Sequence, residues 1–394
     1  MQGQSPRQLI FILGLMAFWC NGDNYVAAPL IVEIAKEFHL DIGTAALPVS
    51  AYMLPFGLFT LLFGPLADRY GKAKVINLAA FGSAIFCGLG ALAGNIVSLS
   101  LIRAVSGAFA AAILPVTMSL IGDSFGHDPK AMQNALGQVL GMAFMGGAAG
   151  TAIGGGLAFL GSWRLVYLVY GAAGLLLAFI MWKTLEKKPG TVSSLNISKA
   201  YQDAFANADL LKTVSIIFLM GFSVFGSFTY TGKFVQMRTG FNILWIGLIL
   251  TCFGLAAVLG GRRAGACRQK MGNRVLLLAG GIALISWAAM GVWHSATLIS
   301  LSLAGFGLGF IVIQSTLIST AQQLLPKRRG TAMSLASFNM FVGGGLGTLI
   351  NGHILAGWGF GPVFVIAGGL IFLAGVIANL LLRRLSPISI ATTN

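Results

Sequence analysis

The chain has 394 residues, 57% of them hydrophobic and only 9% charged, with a mean hydropathy of +0.86 and a formal net charge of +15. Soluble domains carry about 25% charged residues, so the composition excludes an ordinary soluble enzyme and indicates a polytopic membrane protein. The excess of positive charge does not mark a nucleic-acid binder: most of the 25 Lys and Arg stand in short polar segments between apolar runs, where they resist translocation and mark a cytoplasmic face.

The first apolar run, from about Leu9 to the low thirties, has no convincing small-residue cleavage site and reads as a retained helix. Trp19, Asn21, Asp23 and Asn24 fall inside it. A carboxylate within a membrane span costs a few kcal/mol on insertion scales, so these residues should face the bundle interior. Asp23 is the acid that lies well inside a span, and intramembrane ionisable groups are by default functional. A purely structural cap with Asn21 or Asn24 is the plainer alternative. Two further apolar runs, Thr44–Phe63 and Val75–Ala93, flank Gly64-Pro-Leu-Ala-Asp68-Arg69-Tyr-Gly71-Lys72-Ala-Lys74, which reads as an aqueous loop on the cytoplasmic side.

Gly64, Asp68, Arg69, Gly71, Lys72 and Lys74 make this stretch resemble the loop between helices 2 and 3 of the major facilitator superfamily. Helix 4, about Ser98–Ile121, begins its interior with Arg103-Ala-Val-Ser-Gly107, which resembles that family's helix-4 signature. The resemblance implies a proton-transfer role for Arg103, and the approach of a buried guanidinium to Asp23 would favour loss of its proton; a purely structural tie from helix 4 to carbonyls of helix 1 or 2 is the equal alternative. The resemblance also implies a gating latch, with Asp68 against a helix N-terminus of the other half and Arg69 paired with Asp123 at the inner end of helix 4. Helix 5, about Ala135–Phe159, carries Gly141, Gly146, Gly147, Gly150, Gly154 and Gly155, spaced for close helix approach. The pattern resembles the helix-5 signature of the drug:proton antiporter branch, with Thr151 where that signature has proline. Trp163-Arg164, opening helix 6, suits the same branch.

A polar segment, 185–211, containing Pro189, Gly190 and a short helix near Ile197–Phe205, reads as a cytoplasmic linker. Its Asn196-Ile-Ser198 sequon would then be fortuitous. Six more spans follow, near Thr213–Gly232, Ile243–Gly261, Val275–Trp293, Leu298–Thr320, Thr331–Leu355 and Pro362–Leu382. Gly265 to Arg274 repeats the spacing of the first signature at an offset of 265 − 64 = 201 residues, with Gln269 replacing the acid. All ten acids precede residue 210, so carboxylate-based proton chemistry must belong to the first half.

The expectation is an all-α membrane fold of twelve helices in two pseudo-symmetric six-helix bundles, residues 1–184 and 212–394, joined by 185–211. Asn21, Asn24, Tyr52, Gln138, Met142, Phe225, Tyr230, Trp245, Gln314 and Asn339 are candidate substrate contacts, since aromatic, Met and amide side chains suit lipophilic compounds. Packing or lipid exposure is the plain reading of each. Cys20, Cys87 and Cys252 sit in spans and Cys267 in a loop, as single thiols, and His39, His127, His294 and His353 are scattered without metal-ligand spacing. Proton-coupled efflux of small amphiphilic compounds follows as the leading reading. A proton-coupled importer or facilitator and a non-transporting scaffold or sensor are its rivals. An enzyme is not expected, nor a cofactor beyond the proton gradient. The partners are a small-molecule substrate, protons and lipids, with no nucleic acid. The chain reads as a monomer in the cell inner membrane with both termini cytoplasmic.

Overall fold

The computed structural model describes residues 5–125, 128–190, 197–291 and 294–391, so His127 and Asn196 of the sequon lie outside the described residues. In chain order the helices are α1 (Pro6–Glu37), the one-turn α2 (Ile42–Ala45), α3 (Leu47–Tyr70), α4 (Lys72–Leu89), α5 (Ile96–Ala110), α6 (Ile113–Phe125), α7 (Pro129–Leu160) and α8 (Trp163–Thr184). They continue with α9 (Ile197–Ala206), α10 (Ala208–Thr239), α11 (Ile243–Met271), α12 (Arg274–Met290), α13 (Ala296–Leu324), α14 (Arg329–Trp358) and α15 (Phe360–Ala391). Taking α2 with α3 and α5 with α6 as single crossings, eleven segments among the described residues are long and apolar enough to span a bilayer, and α12 is a shorter apolar helix. No strand occurs among the described residues. Hydrocarbon offers the backbone no partners, so each crossing must close its hydrogen bonds internally.

The signature stretch is not the eleven-residue loop that its charges suggest. α3 stays helical through Tyr70 and α4 starts at Lys72, leaving only Gly71 outside a helix. A helix of 24 residues is about 36 Å long, more than the roughly 30 Å hydrocarbon core, so its last turn projects into the headgroup region and carries charge there. The second copy behaves alike: α11 runs to Met271, which places half-buried Cys267 in a helix and not in a loop. Gly71 (φ 94°) and Gly272 (φ 60°) end the two helices, at the same offset of 272 − 71 = 201. Both φ values lie where a side chain is strained, which explains glycine in each copy. We call the side bearing Gly71 and Gly272 the basic face.

The fourth crossing breaks at Ala111–Ala112, between α5 and α6. Pro115 has no N–H to return to the carbonyl of Ala111. The buried hydroxyl of Thr60 on α3 donates to that carbonyl instead, at 3.2 Å. The break therefore joins two crossings.

α1 packs on α7 through the glycine stripe. A Cβ on Gly146 would collide with the carbonyl of Phe18, one on Gly150 would lie 2.7 Å from that of Gly22, and one on Gly154 would lie 2.7 Å from the Val26 side chain. Gly155 turns to the second set of crossings, 3.0 Å from Gly247 of α11 by the same measure. The two sets also meet along α3 and α14, where a Cβ on Gly57 would stand 3.1 Å from the Phe338 carbonyl.

Along α7, residues 137, 141, 148, 151 and 155 share one stripe. Its outer members touch α11: Gly254 abuts Ala148, and the Thr151 and Thr251 hydroxyls are hydrogen-bonded at 3.0 Å. Toward the basic face, a Cβ on Gly137 or Gly141 would meet nothing within 4 Å, and Gln138 is exposed. α7 and α11 thus diverge toward the basic face and converge at the opposite one.

Candidate functional site

Asp23 of α1 and Arg103 of α5 form an ion pair at 2.8 Å, and their side chains are 0% and 1% exposed. The Arg103 Nη1 donates to both carboxylate oxygens, at 2.8 and 3.0 Å, and Nη2 donates to the main-chain carbonyl of Asp23 at 3.2 Å. From α4, the Cys87 thiol donates to Asp23 Oδ1 at 3.3 Å. The guanidinium lies over two rings, Tyr52 of α3 at 4.1 Å and Tyr167 of α8 at 5.4 Å. Trp19 fixes α1 to α8 by donating Nε1 to the Tyr170 carbonyl at 2.8 Å. Five crossings thereby converge on one charge pair.

An ion pair in such surroundings loses its hydration, so it persists only with close geometry and further hydrogen bonds. The second donor bond to the Asp23 carbonyl, the thiol and the rings supply these. The buried hydroxyls of Tyr52 and Tyr167 and the amide of Asn24 have no protein partner. Chemically, the carboxylate is a group that can accept and return a proton, and the guanidinium stays charged throughout.

The other sequence candidates are dispersed. Asn21 donates to the Ala143 carbonyl at 2.8 Å and so ties α1 to α7. Met142 packs on Gly14 in the same seam. Tyr230 donates to the Thr348 carbonyl at 2.6 Å, holding α10 to α14, and Asn339 donates to Leu335 of its own helix. Gln314 is buried with Oε1 lacking a protein partner, whereas Trp245, 53% exposed, lies in the first turn of α11 beside Phe241. Phe225 joins a row of rings with Tyr25, Phe341 and Phe56.

The latch differs from the one implied by resemblance. Asp123 pairs with Lys72 at 2.6 Å, not with Arg69, which is exposed and lies over the Tyr70 ring at 5.1 Å. With α3 helical through Tyr70, the residue able to reach α6 is the one past the glycine turn. Asp68 is half-buried in a cavity of about 380 Å³ lined by Lys72, Asp123, Leu185, Lys188 and Pro189, so among the described residues it faces the segment after α8 and not a helix N-terminus of the second set. Gly64 lies along α3 with nothing near its Cβ direction.

Three groups escaped the sequence reading. Cys87 read as a single thiol within a span, and Tyr167 carried no periodic signal. Glu37 at the end of α1 accepts hydrogen bonds from Arg164 and from the indole of Trp163, and Arg164 also donates to the Ala93 carbonyl at 2.8 Å. For this last cluster the adjacent Trp163-Arg164 pair was the available signal.

The sequence pattern of the Major Facilitator Superfamily matches residues 13–348. The chain belongs to this superfamily. It is 27% identical over 379 residues to the probable sugar efflux transporter of Helicobacter pylori (strain G27), covering 93% of each chain. It is 25% identical to the quinolone resistance protein NorB of Staphylococcus aureus (strain bovine RF122 / ET3-1), covering 90% of this chain and 89% of the relative. In fold it is similar to a bacterial homolog of the human lysosomal transporter Spinster in an inward-facing, occupied conformation, with TM-score 0.78, 19% identity and coverage of 97% and 98%. The molecule is a multi-pass membrane transporter of this superfamily and not an enzyme.

Proposed function

We propose that this transporter is a proton-coupled exporter of small amphiphilic compounds that works by alternating access. The basic face is the cytoplasmic one, because its Lys and Arg obey the rule for short loops, and both termini lie on that side of the inner membrane. The observation that carries the reading is the fully buried Asp23–Arg103 pair. In a chain with no acid after residue 209, this pair is the charge that a proton can switch within the membrane.

In the cycle, the cleft between α7 and α11 admits substrate from the cytoplasm or inner leaflet. The halves then separate at the opposite face, which breaks the Thr151–Thr251 hydrogen bond. Protonation of Asp23 from outside removes one charge of the pair, releases Arg103 from the carboxylate and accompanies discharge of the substrate. Closing the outer face returns the proton inward. The names of the relatives, sugar efflux and quinolone resistance, support the export direction.

The test uses inverted vesicles with an imposed pH gradient and two probes, a fluorescent quinolone and a radiolabelled hexose. The reading requires gradient-driven accumulation of at least one probe, abolished in Asp23→Asn while binding of that probe persists. Equal transport with and without the gradient and the carboxylate would identify a facilitator and overturn the coupling.

A further inference from the structure

Tyr52 has the chemistry of a substrate contact, yet it is 1% exposed and is pressed on Arg103, with the guanidinium 4.1 Å from the ring centroid. The ring also begins a row. Tyr52 lies 5.9 Å from Phe56, one turn along α3, and Phe56 lies 4.0 Å from Phe341 on α14, across the seam between the two sets of crossings. Phe341 stacks on Phe225 of α10 at 5.7 Å with planes 20° apart. Phe225 meets Tyr25 of α1 at 5.6 Å. The row therefore leaves the ion pair through Tyr52, crosses into the second half, and returns to α1 two residues from Asp23.

We infer that Tyr52 is the positioning residue that transmits the charge state of the Asp23–Arg103 pair to the packing between the two halves. This rests on the proton-coupled reading above. When Asp23 is protonated, the guanidinium loses its counter-charge and keeps its hydrogen bond to the Asp23 main-chain carbonyl, and the attraction of the nearest ring faces for the now unpaired cation gains weight in this desolvated site. Arg103 then settles deeper on Tyr52, and close-packed rings pass a displacement on because the interior has no slack to absorb it. The Phe56–Phe341 contact is where that displacement reaches the other half. The groups around the pair are Cys20 on α1, Cys87 on α4, Tyr167 and Tyr170 on α8 and Tyr52 on α3. Among the described residues of this group, Tyr52 is the one whose ring contacts lead toward the seam, through Phe56 to Phe341.

The test needs no substrate. Spin labels at the exposed positions Ser124 and Gln269, with the half-buried Cys252 and Cys267 replaced by serine, report the separation of the two halves at the basic face by pulsed electron resonance. The parent should change its distance distribution between alkaline and acid buffer, and Asp23→Asn should hold the acid distribution at both. Tyr52→Phe, which keeps the ring, should respond as the parent does, and Tyr52→Leu should lose the pH response while retaining the parent's alkaline distribution. If Tyr52→Leu does not fold, Phe341→Leu, at the far side of the seam, should show the same loss. A Tyr52→Leu or Phe341→Leu protein that responds like the parent overturns the role of Tyr52 and leaves proton coupling standing. A parent that does not respond to pH removes both.

Discussion

Replacing Arg103 with leucine leaves the Asp23 carboxylate buried with the Cys87 thiol as its remaining side-chain donor. Removing one partner of a buried pair costs about 3–5 kcal/mol, whereas replacing both with apolar groups of similar size is close to neutral. Arg103→Leu and Asp23→Leu should therefore each destabilise by that amount, and the double variant should fall within about 1 kcal/mol of the parent. The interaction energy of the cycle is then several kcal/mol, far above the roughly 0.3–0.5 kcal/mol scatter of independent sites. The assay is reversible unfolding in mixed micelles followed by tryptophan fluorescence, to which Trp19, bonded to Tyr170 beside the pair, contributes. Lowering the pH should recover part of the loss in Arg103→Leu, because a proton neutralises the stranded carboxylate. It should recover none in Asp23→Leu, since the guanidinium does not give up its proton. Additive single effects, or two single variants each as stable as the parent, would refute the argument.

Thr60→Val removes the donor that satisfies the Ala111 carbonyl freed by Pro115 and should cost about 1 kcal/mol, with Thr60→Ser restoring most of it in the same unfolding assay. Lys72→Ala should change stability by less than about 1 kcal/mol, because the pair it forms with the 61% exposed Asp123 is screened by water. Gly71→Ala, forced to adopt φ 94° against the Lys188 carbonyl, should cost about 1–3 kcal/mol. Asp41 caps α2 through Thr44, whose N–H and hydroxyl hold its carboxyl below the usual carboxylate range. This contribution is present above the unfolded carboxylate value and is lost as pH falls through the folded one. Hydrogen exchange of the Thr44 amide should accelerate on acidification in the parent and stay level with pH, after correction for intrinsic rates, in Asp41→Asn.

Much of the architecture was already legible in the chain. Apolar runs of bilayer length fix where it crosses the membrane, because hydrocarbon tolerates only internally bonded backbone. The 201-residue repeat placed glycines at 71 and 272, and both prove to sit where φ is positive. The cost of an intramembrane carboxylate singled out Asp23 without any contact being known. The boundaries and partners were another matter. Helices outrun the hydrocarbon core at no penalty once they reach water, so the charged signature stretch looked like a loop and is mostly helix.

Which side chains meet was decided by the fold alone. Asp23 and Arg103 are 80 residues apart, and no local pattern says that α4 brings Cys87 and α8 brings Tyr167 to the same point. Asn21 and Tyr230 have the chemistry of substrate ligands, but helix packing directs them to backbone carbonyls. Thr151 looked like the loss of a proline and is half of a hydrogen bond between the two sets of crossings. Hydropathy acts along the chain and is read one residue at a time, which is why the crossings were predictable. Close packing acts between crossings, where the angle of one helix decides whether a ring, an amide or a thiol reaches the charge.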